Sequence, residues 1–311
     1  MSVRKAEILL ITSVACRAIS FIFSKIALGE LEPFNLMAIR FLSAAFLLSL
    51  IFHKKILAMT RRTFFHGMLI GLAYFMVMTF ELHGLRYTEA GTASFLENTA
   101  IVFVPLMLAV INRRLPARTT WISAGSALIG VGFLTLGSSA SAGLSLGRGE
   151  LLCLCAALSY TSGMVLTDRI TGDDDPVTIG ILQIGFIGLF AVPATFMTET
   201  PKLPELPETW LMLACLVFIS SVIGFTLLPV AQHYLPAERV SLFCALAPVV
   251  ACTSGVIFLH EEMTPAKLAG AILILTALVA PKLTGNVRLR RFTDIFHSDR
   301  RFERKLHHVS E

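Results

Sequence analysis

Ten runs of about twenty mostly apolar residues follow one another along this chain, each long enough to cross a hydrocarbon core as a helix. They cover residues 7–29, 34–52, 64–83, 90–111, 119–137, 150–167, 177–197, 209–229, 239–258 and 265–283. In lipid the backbone must satisfy its own hydrogen bonds, so runs of this length leave helix as the economical solution. Only 15% of residues are charged, against roughly a quarter in a soluble domain. The expected fold is therefore an all-α integral membrane protein with ten transmembrane helices. The first run leads into further spans, not into a small-residue cleavage site, so it reads as a membrane helix and not as a signal peptide.

Two stretches share one layout. The run GLRYTEAGTASFLENTAIVFVPLMLAVINRRLP, residues 84–116, has a tyrosine, a polar turn, a serine, a long apolar span and a charged exit. YLPAERVSLFCALAPVVACTSGVIFLHEEM, residues 234–263, repeats that order at a lag of 147. Residues 7–40 likewise align with 150–183 at a lag of 143, so Glu7 meets Glu150, Pro33 meets Pro176, and Arg40 meets Gln183. An odd number of spans per copy forces the second copy to lie inverted. We expect a first five-helix unit over residues 1–137, an inverted second over 138–284, and a tail over 285–311. In the tail, Phe292, Ile295, Phe296, Phe302 and Leu306 share a helical face among arginines, the pattern of an amphipathic helix on anionic lipid.

Lysine and arginine gather in the loops on one side: Lys54, Lys55, Arg61, Arg62, Arg113, Arg114, Arg118 and Arg169. The positive-inside rule then puts both termini in the cytoplasm, in a cell inner (plasma) membrane.

Charges inside the spans are the candidates for chemistry. Ser13, Arg17, Ser20 and Ser24 form one helical stripe, and Arg17 is near mid-span. A charge there costs somewhere between about 3 and 17 kcal/mol against lipid, so it should face the bundle and find a partner. Glu97 is the obvious carboxylate, with Asn98 beside it, and Arg40 competes for it. Tyr160 stands in the second copy where Arg17 stands in the first, facing it across the pseudo-twofold axis. The candidate substrate-binding set is Arg17, Ser20, Ser24, Glu97, Asn98, Tyr160 and Gln183. An Arg17–Glu97 pair that only fixes helix packing is the alternative. Pro105, Pro229 and Pro248 are expected to kink their spans.

Elsewhere the pattern is structural. All six cysteines fall in apolar runs and read as small buried hydrophobes. Asp173-Asp174-Asp175 reads as a solvated turn, and Gln232-His233 as an interfacial pair. His260-Glu261-Glu262 lacks the second histidine of a zinc-protease motif. No phosphate loop or nucleophile set is apparent, so neither an enzyme, nor a cofactor, nor a nucleic-acid partner is expected.

SFIFSKIAL with Pro33 and Arg40, GLRYTEAGTASFLENTAIVFVPL, and APVVACTSGVIFLHEEMTPAKLAGAIL resemble the drug/metabolite transporter superfamily in its EamA-domain branch. The likeness covers about residues 7–283. It implies ten helices in two inverted repeats, alternating access, and a small-molecule metabolite as partner besides the bilayer, with proton or ion coupling open. Lys25, Arg40, Pro248 and Glu261 match the family's usual residues. Cys16-Arg17 replaces a common Trp-Gly pair, Ile101 a first-repeat proline, and Arg113 a glutamate. Arg17 and Glu97 are thus this chain's own chemistry. They favour an amino-acid-like or carboxylate-bearing cargo, with export from the family's tendency. The alternative cargo is an organic cation held by Glu97 with Phe21, Phe95, Tyr160 and Phe243. A membrane-embedded enzyme or lipid scramblase fits less well.

Overall fold

A computed structural model describes residues 3–88, 90–113, 115–116, 118–136, 147–172, 174–250 and 265–283. Every regular element among them is helical. The helices are α1 (Val3–Ala27), α2 (Pro33–Ile51), α3 (His53–Leu57), α4 (Arg61–Tyr87), α5 (Ala90–Asn98), α6 (Ala100–Asn112), α7 (Arg118–Leu136), α8 (Arg148–Ile170), α9 (Pro176–Thr198), α10 (Pro207–Cys215), a π-helix (Leu216–Phe225), α11 (Thr226–Tyr234), α12 (Ala237–Cys244) and α13 (Pro265–Leu283). Six stretches are long and apolar enough to cross a membrane: Arg4–Ala27, Pro33–Ile51, Arg61–Tyr87, Arg148–Ile170, Pro176–Thr198 and Pro207–Tyr234. Leu96–Asn112, Thr120–Phe133 and Leu268–Ala277 are shorter apolar helices. The second half of the ninth expected span, the acidic exit at Glu261-Glu262 and the basic tail lie outside the described residues.

The fourth expected span is interrupted, and not at its proline. Pro105 lies inside the continuous helix α6. The break comes earlier, at Thr99, whose N–H and Oγ1 both donate to the Leu96 carbonyl. A matching turn falls at Ala245, whose N–H reaches the Leu242 carbonyl, and the chain is helical again over 246–250. In the eighth span the irregular turns are the π-helix, just ahead of Pro229. Prolines therefore do not mark the breaks directly.

Two pairs of corresponding helices meet, α2 on α9 and α7 on α13, while the first helix of each half packs on the third span of the other: α1 on the π-helix and α11, and α8 on α4. A Cβ built on Gly188 would stand 2.8 Å from the Leu42 nitrogen, and one on Gly185 3.6 Å from the Ala45 Cβ. As residue numbers rise along α9 they fall along α2, so these repeat-related helices run antiparallel. That is the relation an inverted repeat requires.

Both ends of this seam are tied. Glu199, just after α9, takes the Phe34 and Asn35 N–H groups at 2.9 and 2.8 Å. It thereby caps α2 from outside, where α2's own N-cap residue Glu32 makes no side-chain bond. At the other end, Asp175 caps α9 through Thr178 N–H and pairs with Lys55 at 2.9 Å. Partial burial would raise the Asp175 pKa, but the Lys55 and Thr178 hydrogen bonds outweigh it and hold it below its ordinary value. Asp174 accepts from Thr63 at 2.7 Å and meets His66 Nδ1 at 2.6 Å. Asp174 is buried and docks one half to the other, which the solvated turn read from sequence did not foresee; Asp175 is exposed, and Asp173 lies outside the described residues. Gln232 departs from expectation too: it is buried.

Close helix approach depends on small residues. A Cβ at Gly71 would come within 2.5 Å of the Phe186 Cβ. We predict that Gly71→Val sharply lowers expression and melting temperature, because α4 and α9 must separate. Gly125→Ala, where nothing lies within 4 Å, should melt like the parent in the same thermal scan.

Candidate transport cavity

The cavity is built from the breaks and from the first helix of each half. It lies between α1, the α5–α6 break, α8, and α12 with the segment after it. Helix α1 contributes Arg17 and Phe21, the break contributes Glu97, Asn98 and Ile101, α8 contributes Tyr160, and the last segment Cys244.

Arg17 organises this space. Its Nη1 donates to Tyr160 Oη at 2.7 Å, across 143 residues, the lag of the repeat. Its guanidinium carbon sits 5.0 Å from the Tyr160 ring centroid and 4.7 Å from that of Phe225, each contact worth about 0.5–2 kcal/mol. Phe225 ends the π-helix, and α1 reaches it because the preceding residue is Gly224. A Cβ there would stand 2.9 Å from Arg17 Cγ. Ser13 closes the same contact by donating to the Gly224 carbonyl at 2.6 Å.

Glu97 faces Arg17 at 3.7 Å, an ion pair without a hydrogen bond of ordinary length. Its Oε2 has no hydrogen-bond partner among the described residues. The pair is therefore loose, with bonding capacity left on both sides. Asn98 lines the cavity, while its amide donates back to the Ser94 carbonyl at 2.7 Å.

The remaining candidates lie elsewhere. Ser20 donates to the Arg17 carbonyl at 2.6 Å and so braces α1 locally. Ser24 is buried outside the cavity lining. Gln183 is fully buried on α9, also outside the lining. Arg40 does not compete for Glu97: its Nε and Nη2 donate to Ser221 at 2.9 Å and Ser220 at 2.8 Å, adjacent residues of the π-helix. π-Helical turns gather at functional sites, and this one places consecutive hydroxyls on one guanidinium.

Sequence reasoning passed over Cys244. Its thiol is 3.4 Å from Tyr160 Oη. It lies at a lag of 147 from Glu97, and Ala247 at the same lag from Ala100. The cavity wall is thus made of repeat-related pairs, Arg17 with Tyr160 and Glu97 with Cys244, and that lag was the signal available. Each charge in it comes from the first half and its neutral counterpart from the second. Two other buried charges follow the same pattern, since Arg40 meets Gln183 and Glu81 meets Leu228 at the two lags, whereas buried Glu7 meets a second carboxylate, Glu150. Glu81 is buried within electrostatic reach of Arg17, Arg40 and Glu97. Among the described residues no group of three or more His, Cys, Asp or Glu side chains could hold a metal ion.

The EamA-like transporter family matches this chain twice, over residues 4–136 and 147–280. The chain belongs to that family. Relatives include an uncharacterized transporter of Archaeoglobus fulgidus, 28% identical over 83% of this chain and 80% of its own length. A probable amino-acid metabolite efflux pump of Salmonella typhimurium is 26% identical over 88% of this chain and 94% of its own. The threonine/homoserine exporter RhtA of Escherichia coli K12 is 27% identical over 76% and 74%. A solved crystal structure superposes with a TM-score of 0.76 at 16% identity, covering 91% of this chain and 98% of that one, which bears on the fold alone. This EamA-like chain is a multi-pass membrane transporter of small molecules and not an enzyme.

Within that EamA-like frame the ion pair makes a thermodynamic prediction. Arg17→Ala or Glu97→Ala alone should destabilise by roughly 3 kcal/mol, because each leaves its partner charge buried. The double substitution should cost less than the sum of the two. Thermal unfolding in detergent, run as a double-mutant cycle, measures the coupling, and simple additivity would show that the two residues are not partners.

Proposed function

We propose that this chain is a secondary active transporter that exports amino-acid-like metabolites by alternating access. The observation that carries the proposal is the loose Arg17–Glu97 pair in the cavity wall. A guanidinium suits a carboxylate, and a carboxylate suits an ammonium group. At 3.7 Å the pair retains enough unspent capacity for a zwitterion to insert between its members. An α-amino acid carries those two charges on one carbon. The names of the efflux pump and of the threonine/homoserine exporter agree with this class of cargo.

Substrate would trade the Arg17–Glu97 attraction for its own contacts. The walls carrying Arg17 and Glu97 are then free to move apart, which couples binding to a shift of the helices around them. Tyr160 keeps Arg17 oriented throughout through its hydrogen bond. The ties at both ends of the α2–α9 seam, at Glu199 and at Asp174–Asp175, are the natural points of alternate opening.

In proteoliposomes loaded with L-threonine or L-homoserine, Arg17→Gln should abolish transport. Glu97→Gln should weaken it or remove its pH dependence. Transport of a permanent organic cation that survives Arg17→Gln and is lost with Glu97→Gln would reject the zwitterion reading. It would favour a cation site in which Phe21 and Tyr160 supply the aromatic wall.

Orientation follows from loop charge, with both termini on the cytoplasmic side. In sealed cells, an impermeant thiol reagent should reach a cysteine placed at Thr200 and miss one placed at Arg61. The opposite pattern would invert the topology.

A further inference from the structure

Four helices close a ring: α4 packs on α8, α8 on α11, α11 on α9, and α9 on α4. Tyr74 on α4, Gln183 on α9, and Thr226 and Gln232 on α11 are all buried, with fractional exposures of 0, 0, 6 and 2%. The Tyr74 hydroxyl, the Thr226 hydroxyl and both amide atoms of Gln183 and of Gln232 lack a hydrogen-bond partner among the described residues. Gln232 and Thr167 approach the Tyr74 hydroxyl without closing a bond. Leaving so many buried polar groups unpaired would be costly, since each carries a desolvation penalty.

The repeat says what kind of group fits these side chains. Gln183 is the counterpart of Arg40 at a lag of 143, and Tyr74 that of Ser221 at 147. In the first position the Arg40 guanidinium fills the space and donates to Ser220 and Ser221. In the second, a shorter amide and a phenol stand where the guanidinium and the serine stood, and the polar atoms remain unmatched. A cation is a poor replacement, because Arg17 acts electrostatically on Tyr74 and none of these four side chains is a carboxylate. Water supplies donors and acceptors alike at no charge.

We propose that the α4–α8–α11–α9 ring binds ordered water, held by Tyr74, Gln183, Thr226 and Gln232. The Tyr74 ring packs edge-on against Tyr160 with centroids 5.9 Å apart, and Tyr160 lines the cavity. Gln232 lies near the end of α11, which closes at Tyr234. The water therefore stands between the cavity and one end of the bundle. On the transport reading above, it wets that half of the route; the hydration itself does not depend on that reading.

Hydroxyl-radical labelling of the wild-type protein in nanodiscs, read by mass spectrometry, tests the proposal. Bound water should label Tyr74 well above Phe41, which is equally buried. Labelling of Tyr74 no faster than Phe41 would overturn it. Gln183→Met and Gln232→Met give an independent reading in the melting curve. A hydrated amide loses bonds when replaced, so the melting temperature should fall by about 2 °C or more. A dry amide is relieved of its penalty, so a rise would refute the water site. Gln183→Arg, which copies the first half, should expel the water and bring Tyr74 labelling down to that of Phe41. None of these readouts involves substrate, so loss of the water site and loss of the amino-acid reading are separable.

Discussion

A guanidinium inside a membrane bundle must be held, and the surroundings of Arg17 answer that need from several elements. Tyr160 accepts its hydrogen bond, Phe225 and Tyr160 offer their ring faces, and Glu97 balances its charge from 3.7 Å. Each partner requires a particular piece of architecture. Tyr160 has to stand opposite on α8, Phe225 has to end a π-helical stretch beside Gly224, and Glu97 has to lie just ahead of a helix break. Were the guanidinium unpaired, it would cost several kcal/mol, so these elements are energetically bound to one another. The second arginine, Arg40, repeats the dependence on the π-helix through Ser220 and Ser221.

A duplicated frame carries an unduplicated set of charges. Helices α2 and α7 each pack on their counterparts, α9 and α13, and α2 and α9 run antiparallel. Yet Arg17, Arg40, Glu81 and Glu97 all belong to the first half, and their counterparts are Tyr160, Gln183, Leu228 and Cys244. A neutral counterpart is a good neighbour for a buried charge. Tyr160 satisfies Arg17 by hydrogen bond without competing for its charge. Symmetric charges would instead face like charges across the axis and repel. The asymmetry thus converts a symmetric scaffold into a polarised site.

Helix existence and the repeat were legible from the chain because apolar run length and residue lag are local or additive signals. The mid-span positions of Arg17 and Glu97 were legible for the same reason, since a charge in an apolar run stands out. Ser20 and Ser24 share Arg17's helical stripe, yet one turns back to its own helix and the other is buried away from the cavity. Periodicity gives a face of a helix, and it does not say which neighbour that face meets. Arg40 looked like a rival for Glu97 because both are charged and at similar depth. Its true partners are neutral serines whose hydroxyls converge only once the backbone widens into a π-helix.

By itself the sequence determined a helical membrane protein with a twofold internal repeat and an arginine and a glutamate within its spans. Those properties follow from hydrophobic length, spacing and the cost of charge in lipid. Tertiary structure alone decided that the helix breaks fall at Thr99 and Ala245 and not at the prolines, and that Cys244 joins the cavity wall. It also left Arg17 and Glu97 3.7 Å apart and not locked together. Such distances arise from how glycines, ring faces and helix ends from distant parts of the chain come to share one space. No single segment contains that information, because it is a property of the packing between segments.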